Sequence, residues 1–293
     1  MSNETLSSNR ERQEMIKVRD INMLTVSVGE GTPLMLIPGG PGFGYYHLRP
    51  AIKYLASEFK VRSYDQRGCG QSETGDKDQI AFTGQLKDLE ELRKKLGLKK
   101  LNLIGHSLGA HLALLYAAQY PESTASVVLA NTGPPIGDEF SFGDEMVRRR
   151  TDEEKAEMAE LEESAEFKAQ EPKTLERYYQ LRYSPFYRDH ANIKKLPYDF
   201  TKTTADNVFD YPGLMMRDFK EHDVLGKLKK IKAPTLVVHS EVDPIPIGFS
   251  QLLADGIKGS EFLLAKGVNH FGLIEDPDLY WDKVVPFLNR HAV

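Results

Sequence analysis

The chain of 293 residues contains one cysteine, Cys69, and one tryptophan, Trp281. A single cysteine cannot close an intrachain disulfide, so the core alone must hold the fold and a reducing, cytoplasmic setting is expected. Long apolar runs are missing as well. No uninterrupted stretch approaches the roughly 18 to 20 residues of a membrane span, and the polar start MSNETLSSNRERQEM lacks the apolar segment of a secretory signal. There is no basic stripe either: lysines and arginines are scattered, the net charge is −5 and the isoelectric point is near 6.0. That distribution argues against nucleic acid as a partner. Neither internal repeats nor low-complexity segments are found.

What is present is a rhythm. Eight short β-type runs, MIKVR, MLTVSV, LMLIP, FKVRSYD, LNLIG, SVVLAN, TLVVHS and EFLLA, are bounded by turn-like residues. The first two are read as a hairpin turning at Asp20-Ile21-Asn22. The later ones are separated by helical stretches such as FTGQLKDLEELRKKLG and HLALLYAAQYP, the pattern of helices packed on a mostly parallel sheet. From Thr132 to Leu225 the rhythm stops. That segment reads helical, charged and aromatic, and strands resume at KIKAPTLVVHS. The expectation is an α/β fold with an eight-stranded sheet, its core formed by residues 1–131 and 226–293, and a helical cap inserted at 132–225.

At one strand-to-helix junction stands Gly105-His106-Ser107-Leu108-Gly109. A G-x-S-x-G turn there holds the serine in a strained conformation with its hydroxyl above the sheet edge. A serine hydroxyl is a weak nucleophile and needs a base, and the base needs an orienting acid. In chain order the acid and then the histidine follow the serine. Only His270 and His291 lie beyond TLVVHS, and His291 is at the end of the chain, which leaves His270. Asp243 follows the same strand; Glu241 is a weaker candidate, and Asp255 and Glu261 read as surface positions. The expected catalytic set is therefore Ser107, Asp243 and His270.

An acyl-transfer site also needs N–H donors for the developing oxyanion. Leu108 opens the helix after Ser107 and supplies one. The loop Pro38-Gly39-Gly40-Pro41-Gly42-Phe43-Gly44 supplies the other; Pro41 has no N–H, so Gly40 is the expected donor. This loop fits neither G-x-G-x-x-G nor G-x-x-x-x-G-K-[ST], so no nucleotide cofactor is expected, and the chemistry requires no metal. His106 is read as a space-filling or hydrogen-bonding neighbour, and Cys69 as a packing residue.

These residues carry a resemblance. The whole chain resembles the α/β-hydrolases with a helical cap, and among them the proline iminopeptidase-like serine peptidases. The match is strongest at Asp65-Gln66-Arg67-Gly68-Cys69-Gly70-Gln71-Ser72, close to that family's D-Q-R-G-x-G-x-S, and at Gly40-Pro41-Gly42 within its H-G-G-P-G loop. Departures accompany it: Pro38 stands in place of the loop histidine, and GHSLG in place of the usual GGSWG. The resemblance implies a serine hydrolase that forms an acyl-enzyme on a small ester, amide or short peptide, with removal of an N-terminal residue as the family activity. Because the family's amine-binding carboxylates have no matching positions here, peptidase activity is expected to be weak or shifted away from proline, with short acyl esters turned over at least as well. Carboxylesterase or lactonase activity is the alternative, and a non-catalytic ligand-binding protein a more distant one. Asp65 and Arg67 are expected to brace the site floor.

Two features of the insertion remain. TDEEKAEMAELEESAEFKAQ, at 151–170, has eight acidic residues against two lysines and reads as one helix, either a solvated face or an acidic wall for an amine. LERYYQLRYSPFYRDH and FDYPGLMMRDF interleave aromatic and aliphatic residues that pack the cap, line an acyl pocket, or do both. The oligomeric state is left open.

Overall fold

Each of the eight β-type runs forms a strand: β1 (Arg12–Val18), β2 (Ile21–Val28), β3 (Pro33–Ile37), β4 (Lys60–Tyr64), β5 (Leu101–His106), β6 (Thr124–Ala130), β7 (Thr235–Ser240) and β8 (Glu261–Ala265). The computed structural model describes residues 10–40, 42–134, 142–195, 198 and 200–293. The strands form one sheet in the order β1-β2-β4-β3-β5-β6-β7-β8, antiparallel at β1/β2 and β2/β4 and parallel elsewhere. The hairpin closes earlier than its sequence suggests. Val18 pairs with Ile21, so the turn is Arg19-Asp20, with Arg19 at φ 52°. Ile21 is fully buried, and that burial draws it into the strand.

The alternation of side chains along each strand divides the core in two. Met35, Ile37, Leu103, Val127, Leu129 and Val237 point to one face of the sheet. Leu34, Leu36, Ile104, Val128, Leu236 and Val238 point to the other. The first face is covered by α2 (Phe82–Lys95) and α3 (Leu108–Gln119), the second by α1 (Arg49–Leu55) and the last helix. Helix α3 has ten buried residues in twelve, as a helix wedged between sheet and neighbours requires.

Between β6 and β7 the described residues form helices and 3₁₀ turns and no strand: α4 (Phe142–Arg149), α5 (Asp152–Glu163), α6 (Ala165–Lys168), α7 (Pro172–Tyr183), α8 (Lys202–Asn207), α9 (Tyr211–Met216) and α10 (Val224–Lys227). After β7 come α11 (Ile247–Gly256), α12 (Gly272–Glu275) and α13 (Pro277–His291). The acidic stretch is two helices, not one. Thr151 and Glu154 form a capping box that starts α5, and Ser164, at ψ 152°, ends it and caps α6 through Phe167 N–H. The stretch between β6 and β7 also contributes to an aromatic cluster of its own, in which Tyr178, Tyr179, Phe186 and Phe200 meet Phe43, Ile245 and Phe271.

Asp65 and Arg67 brace loops, though neither reaches the cavity described below. Asp65 accepts from Tyr45 N–H and Gln71 N–H, each at 2.8 Å, and so ties two turns together. Arg67 is fully buried. Its guanidinium grips Asp88 of α2 at 2.8 and 3.0 Å and Asp20 of the hairpin turn at 2.7 and 2.9 Å. Asp88 has no exposed surface, so removing its carboxylate strands the Arg67 charge with Asp20 alone. The variant Asp88→Ala is expected to lose about 3 kcal/mol or more. Urea unfolding measures this, and a loss within the scatter of ordinary surface substitutions would show the pair to be dispensable. Among the described residues no helix is long and apolar enough to cross a membrane.

Candidate active site

Ser107 sits between the end of β5 and the first turn of α3 with φ 53° and ψ −120°, a conformation that costs a non-glycine residue of order 1–3 kcal/mol. The flanking glycines make it feasible. A Cβ at Gly105 would fall 2.3 Å from the Gly109 carbonyl oxygen, and one at Gly109 would fall 2.4 Å from that of Pro38. The turn is anchored by Ser107 N–H donating to the Ala130 carbonyl at 2.8 Å. The β3 loop approaches closely from the other side: a Cβ on Gly39 would lie 3.1 Å from Ser107 Cβ.

Asp243 and His270 meet over the same end of the sheet. Asp243 follows β7 and His270 follows β8, and the imidazole Nδ1 lies 2.7 Å from Asp243 Oδ2, with both side chains buried. A carboxylate only accepts, so Nδ1 carries the hydrogen and Nε2 is left with its lone pair, the tautomer a general base requires. The second carboxylate oxygen accepts from Ile245 N–H at 2.8 Å. His270 is held on three further sides: its N–H donates to Asn269 Oδ1 at 2.8 Å, its carbonyl accepts from His106 Nε2 at 3.1 Å, and the Phe186 ring lies 4.1 Å away, centroid to centroid.

Ser107 and His270 share the wall of one cavity of about 410 Å³, within the range of small-molecule sites. Gly40 and Leu108 line it beside them. Leu108 is the first helical residue, so its N–H has no acceptor within α3 and the positive end of the helix dipole faces the cavity. Gly40 holds φ +142°, a backbone state that favours glycine. Pro41 lies outside the described residues. No hydrogen bond joins Ser107 to His270 among the described contacts; the two side chains meet as neighbours on one cavity wall.

The rest of the wall is apolar. Rings of Phe43, Tyr183, Phe186, Phe219 and Phe271 surround Met216 and Ile245, and no aspartate, glutamate, lysine or arginine lines the cavity among the described residues. His47, His106 and His111 also line it, and burial keeps them neutral: His47 and His111 are pushed down to about 4, and His106 well below its ordinary value. The aromatic stretches thus do both jobs expected of them. Tyr178, Tyr179, Tyr211 and Met215 pack, while Tyr183, Phe186, Met216 and Phe219 face the cavity. The acidic residues of α5 and α6 do not line it. Glu154 contacts His190, Glu157 pairs with Arg177 and Glu163 with Lys168.

The family model described as alpha/beta hydrolase fold matches residues 32–277. The chain belongs to that family. Among curated relatives, this hydrolase is 26% identical over 279 residues to the proline iminopeptidase of Saccharolobus solfataricus, covering 89% of this chain and 86% of that one. It is 27% identical over 289 residues to that of Lactobacillus helveticus, covering 89% and 91%. Among solved structures, the enol-lactonase from Burkholderia xenovorans LB400 superposes on the hydrolase with a TM-score of 0.65 at 22% identity, covering 94% of this chain and 100% of the other, a likeness of fold.

The remaining candidates of the sequence lie elsewhere. His291 is 3.7 Å from Glu261, which also pairs with Arg290 on the exposed end of α13. Glu241 accepts from Gly267 N–H at 3.0 Å. Cys69 is buried, and desolvation raises its thiol pKa far above the ordinary value, leaving it inert. Sequence reading missed Asn131, which bonds to Asp243, and the place of Phe186 against His270 within a stretch read as pocket lining or packing. The asparagine closing the run SVVLAN was the one available signal. A phenylalanine in a helical insertion gives none.

Proposed function

We propose that this hydrolase cleaves small, uncharged acyl esters or lactones through an acyl-enzyme on Ser107. Ser107 Oγ attacks the acyl carbonyl while His270 Nε2 takes its proton, and Asp243 holds the imidazole and stabilises its cation. The oxyanion is met by the N–H groups of Leu108 and Gly40. His270 then returns the proton to the leaving oxygen, and a water activated by the same imidazole releases the acid. In this reading residues 132–225 are a cap whose inner face binds the acyl group.

The observation that carries the substrate class is the absence of any carboxylate among the described cavity residues. An N-terminal aminoacyl substrate brings an ammonium into the site. A charge-assisted contact to it is worth roughly 1.5 to 3 kcal/mol, or on the order of ten- to a hundredfold in kcat/KM. With no such partner the ammonium is penalised. The similarity to proline iminopeptidases favours a second reading, in which the site receives the amine of an N-terminal residue.

One pair of substrates separates the two. The aryl esters of cyclopentanecarboxylic acid and of proline share a leaving group and nearly a shape, and differ in the amine. The neutral ester is expected to show at least about tenfold higher kcat/KM. A clear preference for the prolyl ester, lost on acetylation of its nitrogen, would overturn the ester reading and restore the aminopeptidase one.

A further inference from the structure

We infer that Asn131 is a positioning residue for the Asp243–His270 pair, fixing the carboxylate oxygen that receives the imidazole. This rests on the proposed roles of Asp243 and His270. Asn131 immediately follows β6, with its N–H bonded to the Val238 carbonyl at 2.9 Å. It is fully buried and holds φ 52°, a state asparagine tolerates better than most residues. Its Nδ2 donates to Asp243 Oδ2 at 2.6 Å. That oxygen is the one His270 Nδ1 uses, at 2.7 Å. The orientation of the amide is set from behind, where Tyr280 of α13 donates to Asn131 Oδ1 at 3.3 Å.

Oδ2 thus takes two hydrogens and Oδ1 one, from Ile245, so the carboxylate is anchored at both ends and cannot rotate away from the imidazole. The Asn131 hydrogen also spreads the carboxylate charge that would otherwise bear on His270 alone. Asn131 does not line the cavity, so its influence reaches the substrate only through the pair.

The other titratable groups facing the pair leave room for this effect. His106 on β5 and His239 on β7 are held neutral by burial, and His239 Nδ1 contacts Ser250 Oγ at 2.9 Å. Burial drives the Tyr280 hydroxyl up, so it stays a neutral donor. From α4, Arg149 bonds to the Val242 carbonyl at 3.1 Å and to Glu145, and Glu241 is turned to Gly267 N–H. None of these hydrogen bonds is to Asp243 Oδ2.

The test compares Asn131→Asp and Asn131→Gly with the native chain on a neutral aryl ester, each normalised to active sites by fluorophosphonate titration. Aspartate sets a second carboxylate against the first, and the added negative charge favours every protonated state nearby. The acid limb of kcat/KM is expected to move up by about one pH unit or more. Glycine accepts the positive φ and deletes the donor, so kcat should fall about tenfold with KM unchanged. A purely structural role would reduce the titratable fraction and leave the limb and the per-site kcat in place, and that result overturns the inference. If His270→Ala retains native turnover, the proposed roles of the pair fail and this inference with them. If His270→Ala is inactive while both Asn131 variants behave as native, only the role of Asn131 is lost.

Discussion

Ser107→Ala is expected to lower kcat by about 10⁴-fold or more while leaving the fold intact. The hydroxyl stands at the top of a strained turn on the wall of a cavity, and among the described residues no second serine lines that cavity. Alanine removes only one atom and keeps the Cβ that the φ of 53° already accommodates, so thermal unfolding should be unchanged within experimental error. A fluorophosphonate should label the native chain at one position, which peptide mass spectrometry assigns to Ser107, and should leave the variant unlabelled. Retained labelling in Ser107→Ala would remove the serine from the mechanism.

His270→Ala and Asp243→Asn should fall nearly as far, by roughly 10³- to 10⁶-fold in kcat, and for different reasons. Alanine deletes the base. Asparagine keeps the shape but offers His270 Nδ1 either a weaker acceptor or a donor, and so permits the wrong tautomer. The pH dependence identifies the group. Activity should be lost on the acid side as the base takes up a proton. Burial pushes His47 and His111 down to about 4 and holds His106 well below its ordinary value, so a limb near the ordinary imidazole range is not expected from them. His291→Ala, at the exposed end of α13, should retain native turnover; if it fails and His270→Ala does not, the base has been misassigned.

These effects are not additive. In the proposed mechanism the three side chains act on one proton transfer, so combining Ser107→Ala with His270→Ala should cost little more than either alone. By contrast, Asp88→Ala acts through Arg67, neither of which lines the cavity, and its effect on stability should add to any of them.

The eight strands, the helices between them and the elbow at Ser107 were determined by local sequence. Short apolar runs bounded by turn residues bury both faces as strands of a covered sheet, and at positions 105 and 109 glycine lets the backbone pass close to its neighbours. Chain order alone singled out Asp243 and His270, because parallel topology brings the carboxyl ends of β5, β7 and β8 to one edge. What local sequence could not decide was anything made between segments distant along the chain. The burial of Arg67 between Asp20 and Asp88, the place of Asn131 behind Asp243 and that of Phe186 over His270 each join residues from different elements. The character of the cavity belongs to the same class. The carboxylates of α5 and α6 left a solvated face and an acidic wall both open in sequence; helix packing turned them to solvent and to Arg177, Lys168 and His190, and left aromatic rings on the cavity wall with Ser107. A side chain's direction in a helical insertion depends on which face finds a partner, and that is settled only when the helices pack.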